Sequence, residues 1–182
     1  MRIFSFFILL LLFNCKESPE QVKNSNDTAS AESKTEFSDN TDMIELEVYD
    51  YEGLKPLLST SDDKTYVVNF WATWCAPCIK ELPYFEKLNK EYKNKNVEVL
   101  LVSLDFPSKY ESKLKPYIKE NNLKSKVVAL DDVDSNSWIP QISEDWSGAI
   151  PATLIFNKTD RSFYEGSFDY EGLENAVKPF IN

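Results

Sequence analysis

Two cysteines of this chain, Cys75 and Cys78, are separated only by Ala76 and Pro77. They follow an apolar run, residues 66–71, that is typical of a buried strand, and they precede a long segment with helical periodicity. Two thiols one turn apart at the start of a helix can close a short disulfide, and the positive end of the helix dipole favours a thiolate on the first. The spacing therefore predicts a redox site that works by thiol–disulfide exchange.

The N-terminus has the pattern of an export signal. A single basic residue, Arg2, precedes an apolar stretch of about a dozen residues, shorter than the roughly 18 to 20 that a permanent membrane helix needs. Polar residues begin at Asn14, directly before Cys15 and Lys16. We therefore predict a signal peptide over residues 1–14.

The position of Cys15 resembles that of the lipid-modified cysteine in bacterial lipoproteins, because an aliphatic residue, Leu12, lies three positions before it. Asn14 departs from the small residue that is usual there. The resemblance implies that Cys15 is acylated and is no longer a thiol. The alternative is a cleaved secretory signal that ends near an ordinary cysteine.

The chain contains three cysteines and no histidine. A structural disulfide normally joins distant segments, so a pair as close as Cys75 and Cys78 favours catalysis. A zinc site would need about four ligands, and neither a histidine nor a second cysteine pair is present to supply them. The sequence predicts no metal and no other cofactor.

The net charge is −10, from 20 Lys and Arg against 30 Asp and Glu. Such a field repels nucleic acid and anionic lipid, so neither is expected as a partner. Solubility alone is the other explanation of the acidity. Contact with a membrane is expected only through the lipid anchor.

The composition changes near residue 42. Residues 16–41 contain almost no aliphatic side chains and cannot bury enough apolar surface to offset the entropy of ordering. We expect residues 15–42 to be the lipidated cysteine and a disordered tether. Residues 43–182 have the length of one domain.

Strand and helix patterns alternate within residues 43–182. We predict strands at 44–49, 66–71, 97–104 and 126–130, a hairpin of 153–156 with 162–165, and helices at 51–59, 76–92, 110–120 and 170–180. Pro83 predicts a kink in the second helix. Residues 135–147 are poorly periodic and receive no assignment. The order implies an α/β fold with a mixed central sheet and helices on both faces.

This order of elements resembles the thioredoxin fold over essentially the whole domain. The finer match is to the TlpA/ResA-type periplasmic disulfide reductases. Three segments carry it: residues 69–78, 81–83 and 148–153, which read NFWATWCAPC, ELP and GAIPAT. Together these motifs are far more specific than an isolated pair of cysteines.

The helix position makes Cys75 the exposed attacking thiol and Cys78 the more buried resolving thiol. The resemblance implies that Pro151 is a cis proline facing the dithiol and that the Ile150 backbone receives a substrate strand. An ordinary loop proline is the alternative for Pro151. The resemblance also assigns Glu81 as a partly buried acid that takes a proton from Cys78, whereas helical glutamates most often lie in solvent.

The buried acid and the lysine of ordinary thioredoxins correspond here to Asn69 and Ser103, neither of which titrates. Trp74 is expected over the disulfide, and Trp71 is equally compatible with the core. The expected substrate contacts are Trp74, Ala76, Pro77 and Ile150. Trp138 and Trp146 either line a partner-binding face or pack beneath a loop.

No histidine lies between the cysteines to stabilise a thiolate, which favours a reductant over an oxidase. The resemblance implies a membrane thiol-transfer protein as electron donor and protein disulfides as substrates, for example the haem-binding thiols of apocytochrome c. We expect a monomer in the cell envelope that is held by its lipid anchor and faces the periplasm. Exposure of the protein on the cell surface is the alternative location. The alternatives are a thiol peroxidase and a non-enzymatic binding module or surface lipoprotein.

Overall fold

A computed structural model describes residues 44–59 and 61–181. The predictions of a signal peptide over residues 1–14, of lipidation at Cys15 and of a tether through residue 42 lie outside the described residues. In the part of the chain that is described, no helix combines the length and apolar character needed to cross a bilayer.

Six strands in residues 44–59 and 61–181 form one mixed sheet with the order β1-β4-β3-β2-β5-β6. The strands are β1 (Glu47–Tyr49), β2 (Thr65–Trp71), β3 (Val97–Ser103), β4 (Lys126–Leu130), β5 (Ala152–Phe156) and β6 (Arg161–Glu165). The first four in chain order pair in parallel, whereas β5 runs antiparallel to β2 and β6 antiparallel to β5. The predicted edge strand and terminal hairpin are therefore confirmed.

Within the described residues, five α-helices connect or follow the strands. They are α1 (Tyr51–Leu54), α2 (Ala76–Tyr92), α3 (Lys115–Glu120), α4 (Ser135–Ile142) and α5 (Tyr170–Val177). Short 3₁₀ turns follow α1, α2 and α5 at Lys55–Leu58, Lys93–Lys95 and Lys178–Phe180, and a further one lies at Pro107–Lys109. A π-helical turn, Tyr110–Leu114, leads into α3.

The sheet has a hydrophobic core on each face. Alternate side chains of β2 point to opposite faces, so Val67 packs in the core with α2, α3 and α5, and Val68 packs in the core with α1 and α4. Both faces are covered, which explains why β2 and β3 are almost continuously apolar. The predicted mixed sheet with helices on both faces is confirmed.

The long helix α2 continues through Pro83. Its buried side includes Leu82, Phe85 and Leu88, and Pro83 lies on the exposed side. Proline removes one backbone donor, but on this side water can reach the carbonyl that is left free. Full burial of a leucine or phenylalanine contributes roughly 1.5–3 kcal/mol, so the buried stripe holds α2 against the sheet.

The predicted helix over residues 110–120 is confirmed, but its first half, Tyr110–Leu114, is a π-helical turn and only Lys115–Glu120 is α-helical. Pro116 is the second residue of α3 and has no N–H to donate to the carbonyl of Ser112, four residues earlier. The α-helical hydrogen-bond pattern therefore cannot run unbroken through this point, and a π-helical turn precedes α3.

Residues 135–147 contain α4, which the sequence pattern did not predict. Trp138 and Trp146 are buried, and their ring centroids lie 5.6 Å apart. Their indole N–H groups donate to the backbone carbonyls of Asp132 and Ala149, at 3.3 and 2.8 Å. Both rings are part of the core, so they pack beneath a loop rather than line a partner-binding face.

Candidate active site

Cys75 and Cys78 lie where β2 gives way to α2. Cys75 is the residue before the helix, and its Sγ accepts a hydrogen bond from the Cys78 backbone N–H at 3.3 Å. The two Cα atoms are 5.3 Å apart and the sulfurs form a disulfide. Pro77 occupies the first helical turn, where its missing N–H costs no hydrogen bond.

The first sulfur is less exposed than expected. In the disulfide form Cys75 is 5% exposed and Cys78 is 0% exposed. Cys75 lies under the loop that contains Ile150, whose carbonyl oxygen is 3.7 Å from its Sγ. The surface around the disulfide comes instead from Trp74, which is 59% exposed, and from the exposed residues Ala76 and Pro77.

The loop before β5 places a proline beside the disulfide. The Ile150–Pro151 peptide bond is cis, as the resemblance implies. Gly148 has a φ of +91°, which residues with a side chain rarely adopt, and it allows the chain to turn into this loop. The carbonyl of Pro151 accepts the backbone N–H of Gly166 at 2.9 Å, so the residue that follows β6 holds the loop.

Glu81 lies one turn beyond Cys78 in α2 and is 1% exposed. Its Oε1 accepts a hydrogen bond from Asn69 Nδ2 and its Oε2 accepts one from the Phe168 backbone N–H, both at 2.8 Å. Burial raises the pKa of Glu81 to about 6, and the hydrogen bonds from Phe168 and Asn69 oppose that rise. A cavity of about 290 Å³ includes Glu81 and Lys80 in its lining.

Asn69 is more than an inert replacement for an acid. Its Nδ2 also lies 3.2 Å from Thr153 Oγ1 and 3.4 Å from the Ala152 carbonyl oxygen. Its Oδ1 has no hydrogen-bond partner among the described residues. Asn69 therefore joins β2 and β5 to the carboxyl of Glu81 and fixes the position of that group.

Asp105 is a site residue that the sequence analysis missed. It is buried after β3, where its Oδ2 accepts the Thr73 backbone N–H and the Ser103 hydroxyl, each at 2.9 Å, and its Oδ1 accepts the Thr73 hydroxyl. These bonds fix the turn that leads from β2 to Cys75. The carboxyl ends of neighbouring parallel strands meet at one edge of the sheet, and the position of Asp105 directly after a predicted strand was the only, weak sequence signal of its role.

The described residues contain no group of three or more Cys, Asp or Glu side chains placed to hold a metal ion. The chemistry that this site offers is that of two sulfurs, one buried carboxyl with a raised pKa, and a backbone edge at Ile150. These parts suit the transfer of a disulfide bond between two proteins.

Comparisons with known proteins agree with this chemistry. The model of the AhpC/TSA family matches residues 40–161. A thiol-disulfide oxidoreductase ResA of Bacillus cereus is 34% identical over 111 residues, which cover 61% of this chain and 59% of that relative. The match thus spans less than two thirds of that protein. ResA of Bacillus anthracis is 32% identical over 133 residues, which cover 72% of each chain.

Among solved structures, a thiol:disulfide interchange protein of Chlorobium tepidum TLS has the same fold. The TM-score is 0.56 at 19% identity, over 73% of this chain and 90% of that one. The thioredoxin-like fold predicted from the sequence is therefore confirmed. The chain belongs to the AhpC/TSA family of thioredoxin-like proteins, as a relative of the thiol-disulfide oxidoreductases.

Proposed function

We propose that this protein is a thiol–disulfide oxidoreductase that reduces disulfides of exported proteins. The observation that carries the proposal is the disulfide between Cys75 and Cys78 at the start of α2, beside the Ile150–Pro151 peptide and one turn from the buried Glu81. The activity named for the curated relatives supports it.

The reaction of the reduced enzyme begins when Cys75 attacks the substrate. Its sulfur lies at the helix N-terminus, where the Cys78 N–H and the helix dipole stabilise a thiolate. The thiolate attacks one sulfur of a substrate disulfide, so a Cys75–substrate bond forms and the substrate S–S bond breaks. The released substrate thiolate takes up a proton.

Cys78 then resolves the mixed disulfide. Its sulfur attacks Cys75 Sγ, the enzyme disulfide closes, and the second substrate thiol leaves. Two electrons have passed from the enzyme dithiol to the substrate. Glu81, when deprotonated, accepts the proton of the Cys78 thiol, and a pKa of about 6 suits this exchange near neutral pH.

The substrate strand lies along the backbone at Ile150. The carbonyl of Ile150 is next to the reacting sulfur, which lets main-chain hydrogen bonds hold substrates of different sequence. Trp74, Ala76 and Pro77 supply the exposed contact surface around the disulfide. Pro151 keeps this backbone edge facing Cys75.

The cellular setting that the lipoprotein and family resemblances imply is part of the proposal. Acylated Cys15 anchors the chain and residues 16–42 act as a tether, so the monomeric domain faces the periplasm. A membrane protein that passes electrons from the cytosol returns the disulfide to the dithiol. Substrates include proteins such as apocytochrome c, whose haem-binding thiols must be reduced.

Reduction is favoured over oxidation because the residues between the cysteines, Ala76 and Pro77, add no charge that would stabilise the reduced form. A dithiol whose thiolate gains no added charge stabilisation from these two residues gives up its electrons more readily than one that does. Equilibration of the full chain with glutathione buffers measures the midpoint potential. A value close to those of strong oxidants would contradict the proposed direction.

Trapping with insulin as a protein disulfide tests the mechanism. Reduced Cys78→Ser protein is expected to accumulate a mixed disulfide through Cys75, because the resolving sulfur is absent. Cys75→Ser protein is the matched control and is expected to form none and to lose turnover. Equal trapping by both variants, or turnover that persists in Cys75→Ser protein, would refute these roles.

Mass spectrometry of envelope fractions tests acylation of Cys15. The native chain is expected to carry the mass of acyl chains on this residue, and Cys15→Ser protein is expected to be released in soluble form. An unmodified Cys15 in the membrane fraction would contradict the lipid anchor.

A further inference from the structure

A groove of about 660 Å³ begins at Trp74, the residue before Cys75, and follows the segment that leads into α3. Its lining includes Trp74, Phe106, Lys109, Lys113, Tyr117 and Glu120. We call it the Trp74–Phe106 groove. None of the steps assigned above to the sulfurs, to Glu81 or to the Ile150 backbone uses the part beyond Trp74.

Exposed aromatic surface is concentrated in this groove. Four large apolar side chains are exposed within residues 44–59 and 61–181, and two of them, Trp74 and Phe106, line the groove. Phe106 is 66% exposed. Single exposed apolar residues are common, but two aromatic rings in one groove next to a reacting sulfur mark a contact surface.

The walls of the groove are held in place. The Tyr117 ring packs against the buried ring of Trp71, with 5.5 Å between centroids. Asp105 fixes the Thr73 side of the groove through its hydrogen bonds to Thr73. The wall that carries Lys113 is the π-helical turn, a rare arrangement that is often found at functional sites.

The lining of the groove includes two lysines. Lys109 and Lys113 are exposed, and in the part of the chain that the structure describes neither ammonium has an ion-pair partner. The lining also contains two acidic residues. Asp105 is buried and accepts three hydrogen bonds, and Glu120 is the last residue of α3, seven residues after Lys113.

The two lysines carry positive charge on a molecule whose net charge is negative. In a chain with a net charge of −10, two neighbouring lysines without ion-pair partners among the described residues form a local site for a carboxylate. The two aromatic residues and the two lysines line the same groove, so one bound segment can contact both.

We propose that the Trp74–Phe106 groove binds the segment of the substrate protein next to the cysteine that Cys75 attacks, and that it selects segments with an apolar and an acidic side chain. The apolar side chain packs between the two aromatic rings, and the carboxylate lies near Lys109 and Lys113. This inference rests on the proposed function, because it assigns a substrate preference to the same site.

Synthetic disulfide peptides test the preference. Two peptides share a phenylalanine beside the cysteine and differ in carrying aspartates or lysines at the next positions. At low ionic strength the full-length enzyme is expected to reduce the acidic peptide with a kcat/KM about tenfold higher, a size consistent with two exposed ion pairs. High salt is expected to shrink this ratio, since exposed charges are screened.

Charge reversal at both lysines, Lys109→Glu with Lys113→Glu, is expected to invert the ratio. The ratio does not change when a variant is only less active or less stable, because both peptides are then affected alike. Lys158→Glu, in the turn between β5 and β6, is the matched control and is expected to keep the original ratio. A ratio near one in the unmodified enzyme, or an equal change in the control, would overturn the proposal.

The apolar contact has its own test. Phe106→Ser is expected to lower the preference for a phenylalanine over a serine peptide about fivefold, whereas Val133→Ser, which alters an exposed apolar residue outside the groove, leaves it unchanged. An unchanged preference in Phe106→Ser protein refutes the groove as the binding site. Failure to reduce any peptide refutes the proposed function itself, so the two failures are distinct.

Discussion

Glu81→Gln is expected to remove a pH dependence from the stability of the fold. Burial raises the pKa of Glu81 from 4.5 to about 6, so the folded protein holds a proton at a pH where the unfolded chain has lost it. A raised carboxyl pKa contributes stability that is present below pH 4.5 and is lost as the pH rises through 6.

The size of the effect follows from the pKa. A change from 4.5 to about 6 corresponds to about 2 kcal/mol. Between roughly pH 4 and 7, the free energy of unfolding of the native protein should therefore fall by about 2 kcal/mol relative to that of the Glu81→Gln variant. Glutamine has nearly the same size and shape as glutamate, so this variant removes the ionisable group with little change in packing.

Urea denaturation of the disulfide form across this pH range measures the difference, since bonded cysteines do not titrate. Glu174→Gln is a control of opposite sign. Hydrogen bonds from Lys178 and Tyr92 lower the pKa of Glu174, so its contribution is lost as the pH falls rather than as it rises. Parallel stability curves for the native protein and Glu81→Gln protein would refute the reasoning about Glu81.

Three further changes test the fold around the site. Asp105→Asn is expected to destabilise the protein by about 2 kcal/mol and to speed amide hydrogen exchange at Thr73, because hydrogen bonds to a charged carboxylate are lost. An unchanged exchange rate at Thr73 would contradict the role of Asp105 in holding this turn. Phe85→Ala is expected to cost about 3–5 kcal/mol in urea denaturation, and a loss below about 1 kcal/mol would contradict its full burial. Asp169→Ala removes the side chain that caps the start of α5 by accepting the Gly172 N–H, and it is expected to lower the free energy of unfolding by about 1 kcal/mol. An unchanged free energy of unfolding would contradict this capping role.

The sequence predicted the parts of the fold that depend on periodicity. The apolar runs of β2 and β3 and the stripe of Leu82, Phe85 and Leu88 report burial directly, because their side chains fill the two cores. The cysteine spacing likewise predicted the disulfide at the helix start. The motif around Pro151 predicted the cis peptide only through the family resemblance.

Other features depend on tertiary contacts that no local pattern encodes. Trp138 and Trp146 are buried because their rings pack against each other between α4 and a loop. The sequence of this region has no regular periodicity that would predict this burial. The sequence showed only that Asn69 replaces an acid and does not titrate, whereas its amide hydrogen-bonds Glu81 and fixes that side chain. The role of Asp105 depends on the neighbouring ends of β2 and β3, and its single-residue signal is weak without the sheet order.

The sulfur of Cys75 accepts the Cys78 N–H and is also the atom proposed to react. Any new bonding partner of that sulfur alters the electron density offered to this N–H group. The nitrogen-15 resonance of the Cys78 amide therefore serves as an internal reporter, by which NMR spectroscopy can follow free, substrate-linked and closed states without an added label on the sulfur.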